Sequence, residues 1–203
     1  VLLAILLSGR GSNFAAIHEA IAAGRLDATI VAVISNRPDA AGIARAIEIG
    51  YPAHIIDHRR FANRAAHEAE IRAVLDDARP DFIVLAGYMR LLSPAFIEAW
   101  RNRIVNIHPS LLPSFAGLDA QAQAIAHGVK VSGCTVHFVD EGLDAGPIIE
   151  QRAVAVLDDD TPESLAARIL EQEHIAYVDA LIKLSRGVRV EGRLVVGRSS
   201  PRP

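Results

Sequence analysis

The first half of the chain alternates short, almost wholly apolar runs with stretches of helical period. Val1 to Leu7 is an unbroken apolar run and reads as a buried strand. Thr29 to Ile34, Ala53 to Ile56 and Phe82 to Ala86 read the same way. Between them, Asn13 to Ala23, Ala40 to Ile49 and Arg64 to Asp77 carry the apolar spacing of helices. Such strands separated by helices predict a parallel sheet covered on both faces, the doubly wound, Rossmann-like α/β pattern.

The pattern changes in the second half. Ile104 to Ile107 reads as a strand that enters a polar loop from His108 to Gly117, and Asp119 to His127 reads as a helix. Val131 to Val139 alternates, with Val131, Gly133, Thr135 and His137 on one side and Ser132, Cys134, Val136 and Phe138 on the other. Ile148 to Val156 is a further strand. The glycine-bearing turn between these two predicts a hairpin, so antiparallel strands join the mostly parallel sheet. Thr161 followed by Pro162 predicts the N-cap and first residue of a helix reaching about Ser185. Val188 to Val190 and Leu194 to Val196 predict a small terminal hairpin, and Arg198 to Pro203 a frayed end. No repeat or linker interrupts the pattern, so one domain is expected over 1–203, its halves meeting near residue 100.

Composition narrows the function. Cys134 is the single cysteine, which excludes an intrachain disulfide and favours a reducing compartment. A net charge of -3 with few aromatic residues offers no field for nucleic acid or an anionic membrane. Val1 to Leu7 is too short to span a bilayer and lacks the flanks of a signal peptide; the absent initiator methionine suggests a processed or trimmed start. A cytoplasmic protein without nucleic-acid or membrane partners is expected, as a monomer or homodimer. No Cys/His cluster suggests a metal, and His67-Glu68 lacks the second histidine of a zinc-protease helix.

Three stretches carry candidate chemistry. Ser8-Gly9-Arg10-Gly11-Ser12-Asn13 lies between the first strand and first helix, where glycines, helix N–H groups and two polar side chains suit a phosphate. Phe14 replaces the third glycine of the dinucleotide fingerprint, and the second strand ends in Ser35-Asn36 without its acidic residue, so NAD is disfavoured. Asn106 and His108 stand two apart at a strand end, so both side chains can face one way. An amide donor can stabilise the oxyanion of an acyl transfer, and an imidazole can pass a proton to the departing nitrogen. Asp144, in the acidic loop from Asp140 to Gly146, is the expected partner that raises the imidazole pKa from about 6.5. His137 reads as a core or interface histidine rather than a ligand, and Cys134 as a small buried apolar residue.

With these stretches in view, the chain resembles the phosphoribosylglycinamide formyltransferases over nearly its whole length. The resemblance rests on Leu7 to Phe14, Ser35-Asn36, Leu85 to Ser93, Asn106 to Pro113, Gly133 to Asp140, Leu143 to Ile149 and Glu171 to His174. It implies the formyltransferase fold, with a phosphate-binding half over 1–100 and a folate-binding, catalytic half over 101–203. It also implies 10-formyltetrahydrofolate as co-substrate, small-molecule substrates and no metal.

By this resemblance, Gly11, Ser12, Asn13 and Glu173 would bind the phosphoribosylglycinamide. Arg64, Met89, Arg90, Leu91, Leu92, Asn106 and the loop of Asp140, Glu141, Gly142, Leu143 and Asp144 would bind folate. Asn106, His108 and Asp144 would be catalytic. Ala116, Ala122 and Val178 depart from the usual pattern, as do Asp119 and Gln121, outside the catalytic set. The alternatives are a formyltetrahydrofolate hydrolase, or a formyltransferase acting on another amine acceptor. The chain length and acidic balance favour the glycinamide substrate over a tRNA.

Overall fold

The computed structural model describes residues 1–197, so the expectation for Arg198 to Pro203 lies outside the described residues. The chain packs as two compact units, Val1–Val105 and a second beginning at Asn106.

In the first unit, strands β1 (Leu2–Leu7), β2 (Thr29–Ser35), β3 (Ala53–Ile55) and β4 (Phe82–Leu85) lie in the order β3-β2-β1-β4. Every neighbouring pair is parallel. Leu3 to Leu7 are fully buried, as a central strand covered on both faces requires. Helices α1 (Ser12–Ala22), α2 (Ala41–Ile49) and α3 (Arg64–Ala78) connect the strands. Asn63 caps α3 by accepting from Ala66 N at 2.9 Å. Gly50, at φ 95°, ends α2 in the left-handed conformation that favours glycine.

Periodicity missed α4 (Pro94–Ala99), whose six residues are too few to show a repeat. Its start was nonetheless written as Ser93-Pro94, with Ser93 Oγ accepting from Phe96 N at 3.2 Å. A 3-10 turn over His58–Arg60 also escaped the pattern.

Strand β5 (Ile104–His108) carries the chain from the first unit into the second. There the order is β5-β6-β7-β9-β8, with β6 (Val131–Phe138), β7 (Ile148–Ala155), β8 (Val188–Glu191) and β9 (Leu194–Gly197). Both expected hairpins form: β6 pairs antiparallel with β7, and β8 with β9. β9 also meets β7 in parallel at Ile148 and Leu194.

Helix α5 (Ala120–Ala126) follows the polar loop, and α6 (Pro162–Ser185) packs along β6 and β7. Thr161 forms a capping box with Ser164, which accounts for the sharp start of α6. The alternation of β6 does not mean one wet face. Ser132 to Phe138 are all buried, and the polar side is turned inward because Thr135 and His137 have internal partners.

Candidate active site

The glycine loop of the first unit has a packing reason beside its chemical one. Gly11 is the N-cap of α1 at φ 72°, and a Cβ there would lie 2.7 Å from the Cα of Gly42. Gly42 N donates to Gly9 O at 3.0 Å, so the start of α2 is laced to this turn. No side chain caps α1, which begins at a glycine. Ser12 is half-buried and Asn13 buried.

The segment after β4 is of mixed character. Met89 and Leu91 are exposed, whereas Tyr88 and Leu92 are buried. Met89 and Leu91 therefore present apolar side chains at the surface, while Leu92 is 9% exposed. Arg64 is exposed at the first turn of α3 and Arg90 is half-buried.

The second unit brings Asn106, His108 and Asp144 into one cluster. His108 is buried, and its Nδ1 lies 3.3 Å from Asp144 Oδ2. Its Nε2 donates to the Phe115 carbonyl at 2.8 Å. Both ring nitrogens face oxygen atoms. Asp144 Oδ2 also accepts from Gly117 N at 2.9 Å, tying the polar loop to the acidic loop. Asp144 sits at φ 48°, a conformation that aspartate tolerates better than most residues.

His137 is the buried, satisfied core histidine that its strand position suggests, and one of its partners is Asn106. Its Nδ1 lies 2.9 Å from the Phe138 carbonyl, which can only accept, so Nδ1 carries the hydrogen. In the neutral ring Nε2 then accepts from Asn106 Nδ2 at 3.3 Å. Burial holds the His137 pKa below its ordinary value, consistent with a neutral ring. The contact fixes which way the Asn106 amide points and leaves its second N–H available. The register of β6 shifts between Val136 and His137, a local irregularity of the kind that re-aims a side chain.

The loop after β5 is held from beneath by Thr135, whose Oγ1 donates to Ser110 O at 2.7 Å and accepts from Leu112 N at 3.0 Å. Gln151 Nε2 donates to Leu112 O at 2.9 Å and to Thr135 Oγ1 at 3.0 Å. These supports were not singled out from sequence. The only available clue was polar residues at inward positions of two strands.

In the acidic loop, Asp140 Oδ1 accepts from Gly142 N at 3.0 Å, and Glu141, Gly142 and Leu143 are exposed. Gly146 admits no side chain, since a Cβ would fall 1.8 Å from the Phe138 carbonyl oxygen. Glu173 is buried on α6. The Cys134 thiol is pushed up to about 12, first by burial and then by the Glu173 carboxylate, so thiolate chemistry is closed to it. Among the described residues no three His, Cys, Asp or Glu side chains are grouped as a metal ion would need.

Comparison with known proteins agrees with this architecture. The profile of the family described as Formyl transferase matches residues 2–181. The phosphoribosylglycinamide formyltransferase of Escherichia coli (strain K12) is 42% identical over 173 residues, covering 85% of this chain and 82% of that protein. The trifunctional purine biosynthetic protein adenosine-3 of Drosophila melanogaster is 50% identical over 186 residues, covering 91% of this chain; the chain spans 14% of that larger protein. The crystal structure of glycinamide ribonucleotide transformylase 1 from Symbiobacterium toebii matches with a TM-score of 0.93 at 46% identity, covering 97% of this chain and 93% of the other. With the family profile running across both units and relatives of this identity, the chain belongs to the formyl transferase family.

Proposed function

We propose that this protein transfers the formyl group of 10-formyltetrahydrofolate to the amine of 5-phosphoribosylglycinamide, a step of purine biosynthesis. The observation that carries the reading is the His108–Asp144 contact at 3.3 Å beside an oriented Asn106 amide. Attack of the amine on the formyl carbon makes a C–N bond and places negative charge on the formyl oxygen. The spare N–H of Asn106 and the charged ring of His108 stabilise that charge. The ring then gives a proton to N10 of the folate as the old C–N bond breaks, and the proton shed by the attacking nitrogen returns to the ring, which ends as it began.

Asp144 Oδ2, 3.3 Å from Nδ1, keeps the ring oriented through this sequence of steps. In the present arrangement Nε2 of His108 is engaged by the Phe115 carbonyl, so donation from that nitrogen begins with exchange of this acceptor for a substrate atom. Gly11, Ser12 and Asn13 are proposed to hold the phosphate and Glu173 to contact the same substrate. Arg64, the segment Met89 to Leu92 and the loop Asp140 to Asp144, together with Asn106, are proposed to receive the folate. The family match across residues 2–181 supports treating the chain as one formyltransferase domain.

The test follows release of tetrahydrofolate with and without phosphoribosylglycinamide. Release that requires the acceptor, with formylated product in equal amount, is the expected result. Equal release without the acceptor would replace the proposal with a hydrolase, and no release in either case would overturn the enzymatic reading.

A further inference from the structure

The exposed segment Met89 to Leu91 is not a free loop: buried side chains tether it at both ends. At the first end, Ser8 N donates to Gly87 O at 3.1 Å, and Met89 N donates to Ser8 Oγ at 2.9 Å. A hydroxyl has one hydrogen, and that of Ser8 goes to Asn36 Oδ1 at 2.6 Å. Asn36 must therefore present its oxygen to Ser8, and its amide nitrogen lies 3.2 Å from Nδ1 of His58. Ser8 and Asn36 are 4% and 3% exposed, so little water competes for these bonds. At the second end, the Glu68 carboxylate accepts from Ser93 N at 2.8 Å and from Ser93 Oγ. Glu68 is 4% exposed, and a buried carboxylate that only fastens a loop calls for an explanation in what the loop does.

We infer that Ser8, acting with Asn36, and Glu68 are positioning residues for the folate, holding the backbone of Met89 to Leu92 in its receiving shape. The inference rests on the proposal that this segment binds folate. None of the three is required to touch a substrate. Their effect is to spare the segment the ordering cost that a loose loop incurs on binding. Without one tether, the segment samples other conformations and only the receptive fraction binds, so apparent folate affinity falls by that fraction. Chemistry at His108 then proceeds as before once the complex has formed.

The test compares the full chain with Ser8→Ala, Asn36→Leu, the double variant and Glu68→Gln. It measures kcat, KM for 10-formyltetrahydrofolate, KM for phosphoribosylglycinamide and hydrogen exchange at the amides of Met89 and Ser93. Expected is a rise of about fivefold to tenfold in the folate KM for each single variant, the size of one lost hydrogen bond. The acceptor KM and kcat stay within about twofold. Exchange quickens at Met89 in the Ser8 and Asn36 variants and at Ser93 in the Glu68 variant. Because Ser8 and Asn36 act through one bond, their double variant is no worse than the poorer single one.

A merely structural role predicts a different outcome, in which both KM values and kcat shift together with the melting temperature. That outcome overturns the inference, as does an unchanged folate KM alongside faster Met89 exchange. If Ser8→Ala does not fold, Glu68→Gln reads the second tether on the same criteria. Failure of the unaltered chain to transfer a formyl group removes the functional proposal and this inference with it. Normal turnover with no selective folate effect removes only this inference.

Discussion

At His108, one ring nitrogen faces a carboxylate and the other a carbonyl, and this is where substitutions should separate binding from chemistry. His108→Asn should lower kcat by about 10²-fold to 10⁴-fold, the usual contribution of a positioned proton donor. Folate Kd should stay within about twofold, because the ring is assigned to chemistry and not to holding the pterin. A variant with near-normal kcat would remove His108 from the proton-transfer role. His67 and His137 make a different prediction. Burial lowers the pKa of both, so each is neutral in the folded protein while the unfolded chain protonates it near about 6.5. A lowered folded pKa means that the unfolded state binds more protons, so stability rises with pH. The stabilisation is present above about pH 6.5 and is lost as pH falls from there toward the lower folded values. Urea midpoints measured between pH 8 and pH 5 should decline over that lower window. His67→Gln should flatten the decline, and a midpoint that rises on acidification would contradict the buried-neutral assignment.

Among the elements, the start of α1 and the start of α6 show two ways of beginning a helix. α6 has a full side-chain capping box, so Thr161→Ala should cost about 1 kcal/mol of stability. Urea unfolding would show it, and a loss below a few tenths of a kcal/mol would mean that Ser164 and Asp160 carry the turn without it. α1 has no side-chain cap and begins at a left-handed Gly11 pressed on Gly42. Gly11→Ala adds both conformational strain and a backbone collision, and should cost about 1–3 kcal/mol. Its effect on the acceptor KM should exceed its effect on the folate KM if this turn holds a phosphate. Equal effects on the two would speak against that assignment. Most elements were legible because their signals are local: Thr161 and Pro162 mark a helix start within one turn of chain. α4 was not, because six residues do not complete enough turns to display a period. The inward polar face of β6 was not, because alternation reports polarity and not what the polar side chains meet.

For the molecule as a whole, ligand binding should appear as stability. A ligand held only by the folded state stabilises it by about 2.7 kcal/mol when present at a hundred times its Kd. Each substrate added alone at that excess should raise Tm by several degrees; the absence of a shift with 10-formyltetrahydrofolate would count against a folate site. Among the described residues no helix is long and apolar enough to cross a membrane, and the net charge of -3 offers no basic surface field. The α/β class, the parallel first half, the antiparallel second half and the identities of Asn106, His108 and Asp144 could all be read along the chain. Periodicity, turn residues and strand-end placement are properties of neighbours in sequence, and they are preserved when the chain is written as a line. The tautomer that His137 imposes toward Asn106, the Phe115 carbonyl on the imidazole and the tethers from Ser8 and Glu68 could not be read that way. Each joins groups from separate stretches of chain, and a hydrogen bond depends on distances of a few tenths of an ångström that only the packed backbone sets.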